Sequence, residues 1–215
     1  MICHAGITAV VQHVKEIENI NISKQKRELI MLIFDLDGTL ADCSHRQHFV
    51  DPEKDPNARW WNDHEDGGGN YIRPNGLPWK PNWAAFYEAC SDDKPIEPVL
   101  SILSKYITAD SGKEVQIWTG RCESVREKTI KWFRDNWFIN LYDFEVPHLS
   151  NKIKMRPIGD YTPAAQLKER WLKELDYDTK WGPRNPVEMV FEDCPKCIAM
   201  YRSHGIFVFD VNQGN

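Results

Sequence analysis

Four short stretches of the chain are apolar on both faces of an extended backbone: LIMLIF (29–34), EVQIWT (114–119), VEMVFED (187–193) and GIFVFDV (205–211). That pattern predicts strands of a buried, parallel sheet rather than half-exposed antiparallel ones. Weaker strand candidates lie within 143–156. Between the strong runs, the apolar period lengthens to that of a helix. Ile96, Val99, Leu100, Leu103, Tyr106 and Ile107 form one stripe, Val125, Thr129, Trp132, Phe133 and Trp137 a second, and Leu167, Trp171, Leu172 and Leu175 a third. Pro163 suits the first turn of the third helix. Strands alternating with helices predict an α/β layered sandwich with a mainly parallel sheet.

Two segments depart from this alternation. Residues 1–30 hold a weak helical stripe (Val10, Val11, Val14, Ile17) followed by polar NINISKQKRE. They read as an appended helix or arm, and Met31 would serve equally well as a start. The stretch from Cys43 to Trp83 shows no periodicity but carries Trp60, Trp61, Tyr71, Trp79 and Trp83 among Pro, Gly, Asn and Asp. Loops of this length are functional or disordered. Its rings would stack a base if they face a ligand; the alternative is a locally packed aromatic loop.

Composition narrows the class. The 215 residues are 41% hydrophobic with a net charge of −5, which suits one domain with a real core and argues against a broad basic surface for nucleic acid, though not against a local cleft. No apolar run approaches the ~18 residues of a membrane span, and the N-terminus has no secretory pattern. The six scattered cysteines read as reduced thiols, hence a cytoplasmic setting. Cys194-Pro195-Lys196-Cys197 tempts a zinc reading, with Cys3 and His4 as the available completing pair, but packing of a helix start explains it better.

In parallel α/β sheets, ligands collect beyond the carboxyl ends of the strands. There the chain places Asp35-Leu36-Asp37-Gly38-Thr39, Thr119-Gly120-Arg121 and Glu192-Asp193. Two carboxylates two residues apart repel unless a cation or a proton offsets them. An EF-hand does not explain them, because its spacing of acids and glycine is absent. The three strand ends together read as a metal-and-phosphate site.

The stretches DLDGTLAD, WTGR and FEDCP resemble motifs I, II and IV of the haloacid dehalogenase-type phosphatases, over residues 30 to 212. DLDGTLADCSHR, WTGRCESVREKTIKWF, MRPIGDYTPAAQLKERWL and FEDCPKCIAMYRSHGIFVFDV resemble more closely the 3′-phosphatase domain of bacteriophage-type polynucleotide kinases and their free-standing relatives. No P-loop occurs in these residues, so the kinase half of such an enzyme is not represented. Ala164-Ala165 departs from kinase-linked relatives, which often carry an acidic residue there.

The resemblance implies a Rossmann-like three-layer sandwich spanning 31–215, with a small loop-rich cap inserted at about 43–83. It implies that Asp35 is the nucleophile, that Asp37 is first general acid and then general base, and that an aspartyl-phosphate forms between the two steps. Mg²⁺ would be held by Asp35, the main-chain carbonyl of Asp37 and the Glu192–Asp193 pair. Thr119 would bind the phosphoryl group and Lys168 would add positive charge, with Lys154 and Lys173 as competing lysines. Gly38, Thr39 and Gly120 would shape the phosphate pocket, Arg121 would clamp the phosphate, and Arg46 would touch substrate. Dehalogenases of this superfamily lack the second carboxylate and transport ATPases carry Thr there, so Asp37 favours a phosphomonoesterase. The implied substrate is a nucleotide or nucleic-acid 3′ end. A free nucleoside monophosphate is the second reading; a small metabolite and a non-catalytic binding module are the others.

Overall fold

The computed structural model describes residues 30–61, 69–108, 113–137, 146–178 and 186–211. The expected N-terminal arm lies outside these residues. In chain order the strands are β1 (Ile30–Phe34), β2 (Ala41–Asp42), β3 (Arg59–Trp61), β4 (Asn70–Ile72), β5 (Lys94–Pro95), β6 (Lys113–Cys122), β7 (Ile153–Arg156), β8 (Val187–Glu192) and β9 (Phe207–Asp210). The helices are α1 (Trp83–Glu88), α2 (Glu97–Thr108), α3 (Arg126–Asn136), α4 (Val146–Lys152), α5 (Ala164–Asp178) and α6 (Pro195–Ser203).

Five strands form one parallel sheet in the order β7-β6-β1-β8-β9. The alternation along β1 explains the layers. Leu32 and Phe34 point into a core shared with Leu103 of α2 and with Trp132 and Phe133 of α3. Met31 and Ile33 point the other way, onto Leu167 and Leu172 of α5 and Ile198 and Tyr201 of α6. From Met31 to Phe34 each β1 side chain is thus buried on its own face, as a central strand of a three-layer α/β sandwich requires. The expected fold class is the observed one.

Differences from the sequence pattern have local causes. The described part of the 143–156 region divides: Val146–Lys152 is helical and Ile153–Arg156 is strand. The apolar run at 205–211 yields an edge strand, so Phe207 and Phe209 remain exposed although their spacing suits a core. β6 runs on to Cys122, past the expected end at Thr119, and its pairing with β7 shifts register between Trp118 and Cys122. Pro163 sits just ahead of α5, and its carbonyl accepts the first helical bond from the Leu167 amide at 2.9 Å.

The stretch after β1 is more ordered than its sequence implies. Antiparallel pairing of β2 with β5 joins its two ends, Ala41 to Pro95 and Asp42 to Lys94. Within it stand a 3₁₀ turn (Ser44–Phe49), the β3–β4 pair and α1, which Asn82 caps by accepting the Ala85 amide at 3.1 Å. Trp79 is tied down through its indole N–H, which donates to Asp55 at 2.8 Å. Trp60 and Trp61 lie on β3 and are 56% and 55% exposed.

Candidate active site

The turn after β1 is built by its own backbone. The amides of Thr39, Leu40 and Ala41 all donate to the Leu36 carbonyl, and the Gly38 amide donates to Ala41 at 2.8 Å. Gly38 sits at φ +90°, a left-handed conformation that costs other residues about 1–3 kcal/mol. A Cβ there would also collide with the Asp193 carboxylate. Gly38→Ala should therefore lower the melting temperature and displace Asp193; a variant that melts and turns over like wild type would show the turn to be adaptable.

This turn delivers Asp35 to the end of the sheet, beside the end of β8. Ligand oxygens of Asp35, Glu192 and Asp193 all lie within 4.8 Å of one another. Lys168, on α5 and only 2% exposed, reaches across the end of the sheet. Its ammonium donates to Asp35 Oδ1 at 2.5 Å and to Glu192 Oε2 at 2.6 Å. The competing lysines are engaged elsewhere: Lys154 pairs with Glu174 at 2.7 Å and Lys173 with Glu169 at 2.9 Å. Asp193 Oδ1 accepts the Thr39 hydroxyl at 3.2 Å, and Glu192 Oε1 accepts the Cys194 amide at 3.2 Å.

Burial, reinforced by Glu192, pushes the Asp35 carboxyl well above the usual range, against the opposing pull of Lys168. Burial and the nearby Asp35 push Asp193 up to about 7. Glu192 is raised too, chiefly by burial. Three carboxylates facing one ammonium leave two negative charges when all are ionised. Buried oxygen ligands with that residual charge fit a hard divalent cation such as Mg²⁺. Asp35, Glu192 and Asp193 are the residues that could hold it, with Glu192 already committed to Lys168.

Asp37 faces a different environment. Its Oδ1 accepts Arg46 Nη2 at 2.5 Å and Arg121 Nε and Nη2 at 2.8 and 2.6 Å. Both arginines also bind Asp93: Arg46 through Nε and Nη2, each at 2.7 Å, and Arg121 through Nη2. Arg46 Nη1 reaches the Phe86 carbonyl at 3.1 Å. Burial works to raise Asp37, but the two guanidinium groups outweigh it and hold the carboxyl below its ordinary value. Arg46 and Arg121, expected as substrate contacts, are here both paired with Asp37 and Asp93. Both are fully buried, and their donors engage carboxylates, the Phe86 carbonyl and the Thr129 hydroxyl. Burying a guanidinium is costly unless its donors are matched, and the two aspartates match them.

Asp93 is the residue that sequence reasoning missed. Its only local signal is the pair Asp92-Asp93 at the end of the aromatic-rich insert, and its partners are 47 and 28 positions away in sequence. Thr119 is buried within β6, three residues before its end, where its hydroxyl accepts the Arg121 amide at 3.1 Å.

A cavity of about 500 Å³ opens onto this centre. Asp35, Asp37, Gly120, Lys168, Glu192 and Asp193 line it; Gly38, Thr39, Arg46, Thr119 and Arg121 are not among its lining residues. Of the insert tryptophans, Trp83 lines it, and Trp60 and Trp61 do not. The condition for base stacking by Trp60 and Trp61, that they face the site, is therefore not met in the structure: both lie on β3, outside the cavity lining. Cys194 and Cys197 stand at the start of α6, with Cys197 fully buried in the core, as a helix start predicts. Among the described residues, no cysteine takes part in a metal-ligating group.

A parallel three-layer sandwich with acidic strand ends and a buried lysine around one cavity is the architecture of the haloacid dehalogenase-type fold. A family model described as the polynucleotide kinase PNKP phosphatase domain matches residues 84–215, more than half of the chain, and the chain belongs to that family. The matched segment begins at Ala84, after the Asp35–Thr39 turn. No curated protein matches the chain. Among solved structures, the chain is similar to one in the Pnkp1/Rnl/Hen1 RNA repair complex, with TM-score 0.50 and 21% identity over 88% of this chain and 45% of that one. It is also similar to one in a second structure of the Pnkp1/Rnl/Hen1 complex, with TM-score 0.52 and 20% identity over 88% of this chain and 48% of that one. The chain therefore spans less than half the length of these two, and the likeness is one of fold.

Proposed function

We propose that this chain is a divalent-metal-dependent phosphomonoesterase that removes the terminal 3′-phosphate of DNA or RNA, with Asp35 as the nucleophile. The observation that carries the reading is the placement of Asp35 at the cavity floor, hydrogen-bonded to a buried lysine and within ligand distance of two further carboxylates. The choice of a nucleic-acid end is supported by membership of a polynucleotide kinase phosphatase family and by neighbours that belong to an RNA repair complex.

One carboxylate oxygen of Asp35 attacks phosphorus, and the bond from phosphorus to the leaving 3′ oxygen breaks. Asp37 protonates that oxygen. Water, giving its proton to Asp37, then attacks the aspartyl-phosphate, releases inorganic phosphate and restores Asp35. The two steps ask opposite states of Asp37. Its pairing with Arg46 and Arg121 favours the ionised form, which serves the second step, and Asp37 must leave that pairing to carry a proton into the first. Lys168 keeps Asp35 oriented, and the Thr119 hydroxyl proton is left for a phosphoryl oxygen. Arg46 and Arg121 act by positioning Asp37. When bound at Asp35, Asp193 and the Asp37 carbonyl, a divalent cation supplies charge neutralisation to the carboxylates and the phosphoryl oxygens. Glu192, tied to Lys168, supports that site from behind.

Chelation should silence phosphate release and Mg²⁺ should restore it. Mg²⁺ should also raise the melting temperature, because it binds the folded state preferentially. Asp193→Asn should shift the Mg²⁺ requirement upward. Full activity in excess EDTA would remove the metal from this reading. The substrate is decided by comparing phosphate release from 3′-phosphorylated oligonucleotides, nucleoside monophosphates and sugar phosphates. Preference for sugar phosphates would overturn the choice of a nucleotidyl substrate.

A further inference from the structure

Beyond the acidic floor, the cavity has two walls. One is α1, which contributes Trp83 and Tyr87; the other is the segment after β7, which contributes Ile158 and Tyr161. Both are fastened to one atom. Tyr87 Oη donates to the Gly120 carbonyl at 3.2 Å, and Arg156 Nε donates to the same oxygen at 2.9 Å.

The second wall is held rigidly by its own network. Arg156 Nη1 donates to the carbonyls of Asp160 and Thr162 at 3.3 and 2.5 Å. The Thr162 amide donates to Asp160 Oδ1 at 2.8 Å, and Arg170 Nη2 donates to Asp160 Oδ2 at 2.5 Å. Yet this fixed loop holds Ile158 74% exposed and Tyr161 87% exposed. Nothing in the described protein covers either side chain to that extent. Fixed, uncovered apolar groups at the mouth of a cavity are the usual sign of a ligand surface.

The charges at the rim narrow the ligand. Among the described residues that line the cavity, the cations are Arg156 and Lys168. Arg156 gives Nε and Nη1 to three carbonyls, and Lys168 is paired with two carboxylates. The rim thus offers aromatic and aliphatic surface next to a phosphoryl site, and among the described lining residues Arg156 and Lys168 are its cations, too few to track a run of flanking phosphates.

We propose that Tyr161, together with Trp83 and Ile158, forms a stacking subsite for the nucleobase of the nucleotide that carries the phosphate, and that the site reads this one nucleotide rather than the phosphodiester chain behind it. The inference rests on the nucleotidyl reading above and specifies how that substrate is held. Stacking on a tyrosine face is tolerant of base identity, so all four bases should serve.

The test compares a 3′-phosphorylated nucleoside, a 3′-phosphorylated oligonucleotide and an abasic deoxyribose phosphate on wild type, Tyr161→Ala, Tyr161→Phe and Trp83→Ala. Wild type should show a lower KM for the nucleoside than for the abasic compound, by about 5–150-fold. Tyr161→Ala should collapse that ratio towards one while kcat on the nucleoside changes little. Tyr161→Phe should preserve it, because the ring face remains. Nucleoside and oligonucleotide should have similar KM values, with a shallow salt dependence. Melting curves of the variants check folding, which exposed Tyr161 makes a mild demand. A wild-type ratio that survives in both alanine variants overturns the subsite and leaves the phosphatase reading standing. A steep salt dependence with strong preference for the oligonucleotide overturns the single-nucleotide claim. Failure of wild type to release phosphate from any nucleotidyl substrate removes both readings.

Discussion

Asp35→Asn should abolish phosphate release while leaving a folded protein. The substitution keeps shape and the hydrogen bond acceptor but removes the attacking oxygen. Uncatalysed hydrolysis of phosphate monoesters is among the slowest of biological reactions, so no background rescues the assay. The effect on stability should run the other way. In metal-free protein, Asp35, Glu192 and Asp193 all have carboxyl groups raised above their ordinary values. A raised folded-state value means the folded protein holds protons that the unfolded chain has already lost. Stability is then fully present below the ordinary carboxylate range, and falls as pH rises towards about 7, where Asp193 titrates. Asp35→Asn removes one of these groups, so the metal-free variant should melt higher than metal-free wild type near neutral pH and show a flatter pH dependence. Melting curves from pH 5 to 8 in EDTA, beside a phosphate-release assay, test both halves. Near wild-type turnover would displace Asp35 as nucleophile, and an unchanged pH slope would mean the carboxylates are relieved by groups other than those described.

Lys168→Met carries the second large effect. The thioether roughly fills the volume of the lysine stem but supplies no ammonium. Asp35 and Glu192 would then face each other without the cation that now bonds both. Breaking a buried ion pair by removing one partner costs about 3–5 kcal/mol. Removing an aimed donor from the reacting oxygens costs about 10²–10³ in kcat. Added Mg²⁺ should recover part of the lost stability, and the rise in melting temperature on Mg²⁺ should be larger than in wild type, because the site has gained a unit of uncompensated negative charge. An equal or smaller rise would show that lysine and metal do not share the same carboxylates. Lys154→Met is the control: that ammonium pairs with the exposed Glu174 and lies over Trp118 and Trp171 at 5.4 and 5.3 Å, away from the cavity lining.

Much of this architecture was legible before any coordinates, for a local reason. A strand buried on both faces must be apolar throughout, and a helix over a sheet must show a 3.6-residue stripe, so β1, β6 and β8 and helices α2, α3 and α5 declare themselves by composition alone. Gly38 was legible as a turn glycine beside a phosphate, but only the structure shows that a side chain there would meet the Asp193 carboxylate. The strand-end rule then pointed to Asp35, Asp37, Thr119 and the Glu192–Asp193 pair, because the direction of a parallel sheet places all its carboxyl ends together.

What remained hidden depends on long-range juxtaposition. The sequence favoured Lys168 over its neighbours, but only the seating of α5 across β1 and β8 brings its ammonium between Asp35 and Glu192. Arg46 and Arg121 read as substrate ligands because a guanidinium beside a phosphate motif has that use; the tertiary structure turns both onto Asp37 and Asp93, which no periodicity could bring together. The tryptophans of the insert show the same limit. One composition contains Trp60, Trp61 and Trp83, yet the first two, on β3, fall outside the cavity lining while Trp83, the first residue of α1, stands on its wall. Local physics determined which segments fold and which ends carry charge. The packing of segments far apart in sequence decided which charges meet, because burying a guanidinium or an ammonium is tolerable only where the complete fold supplies its partner.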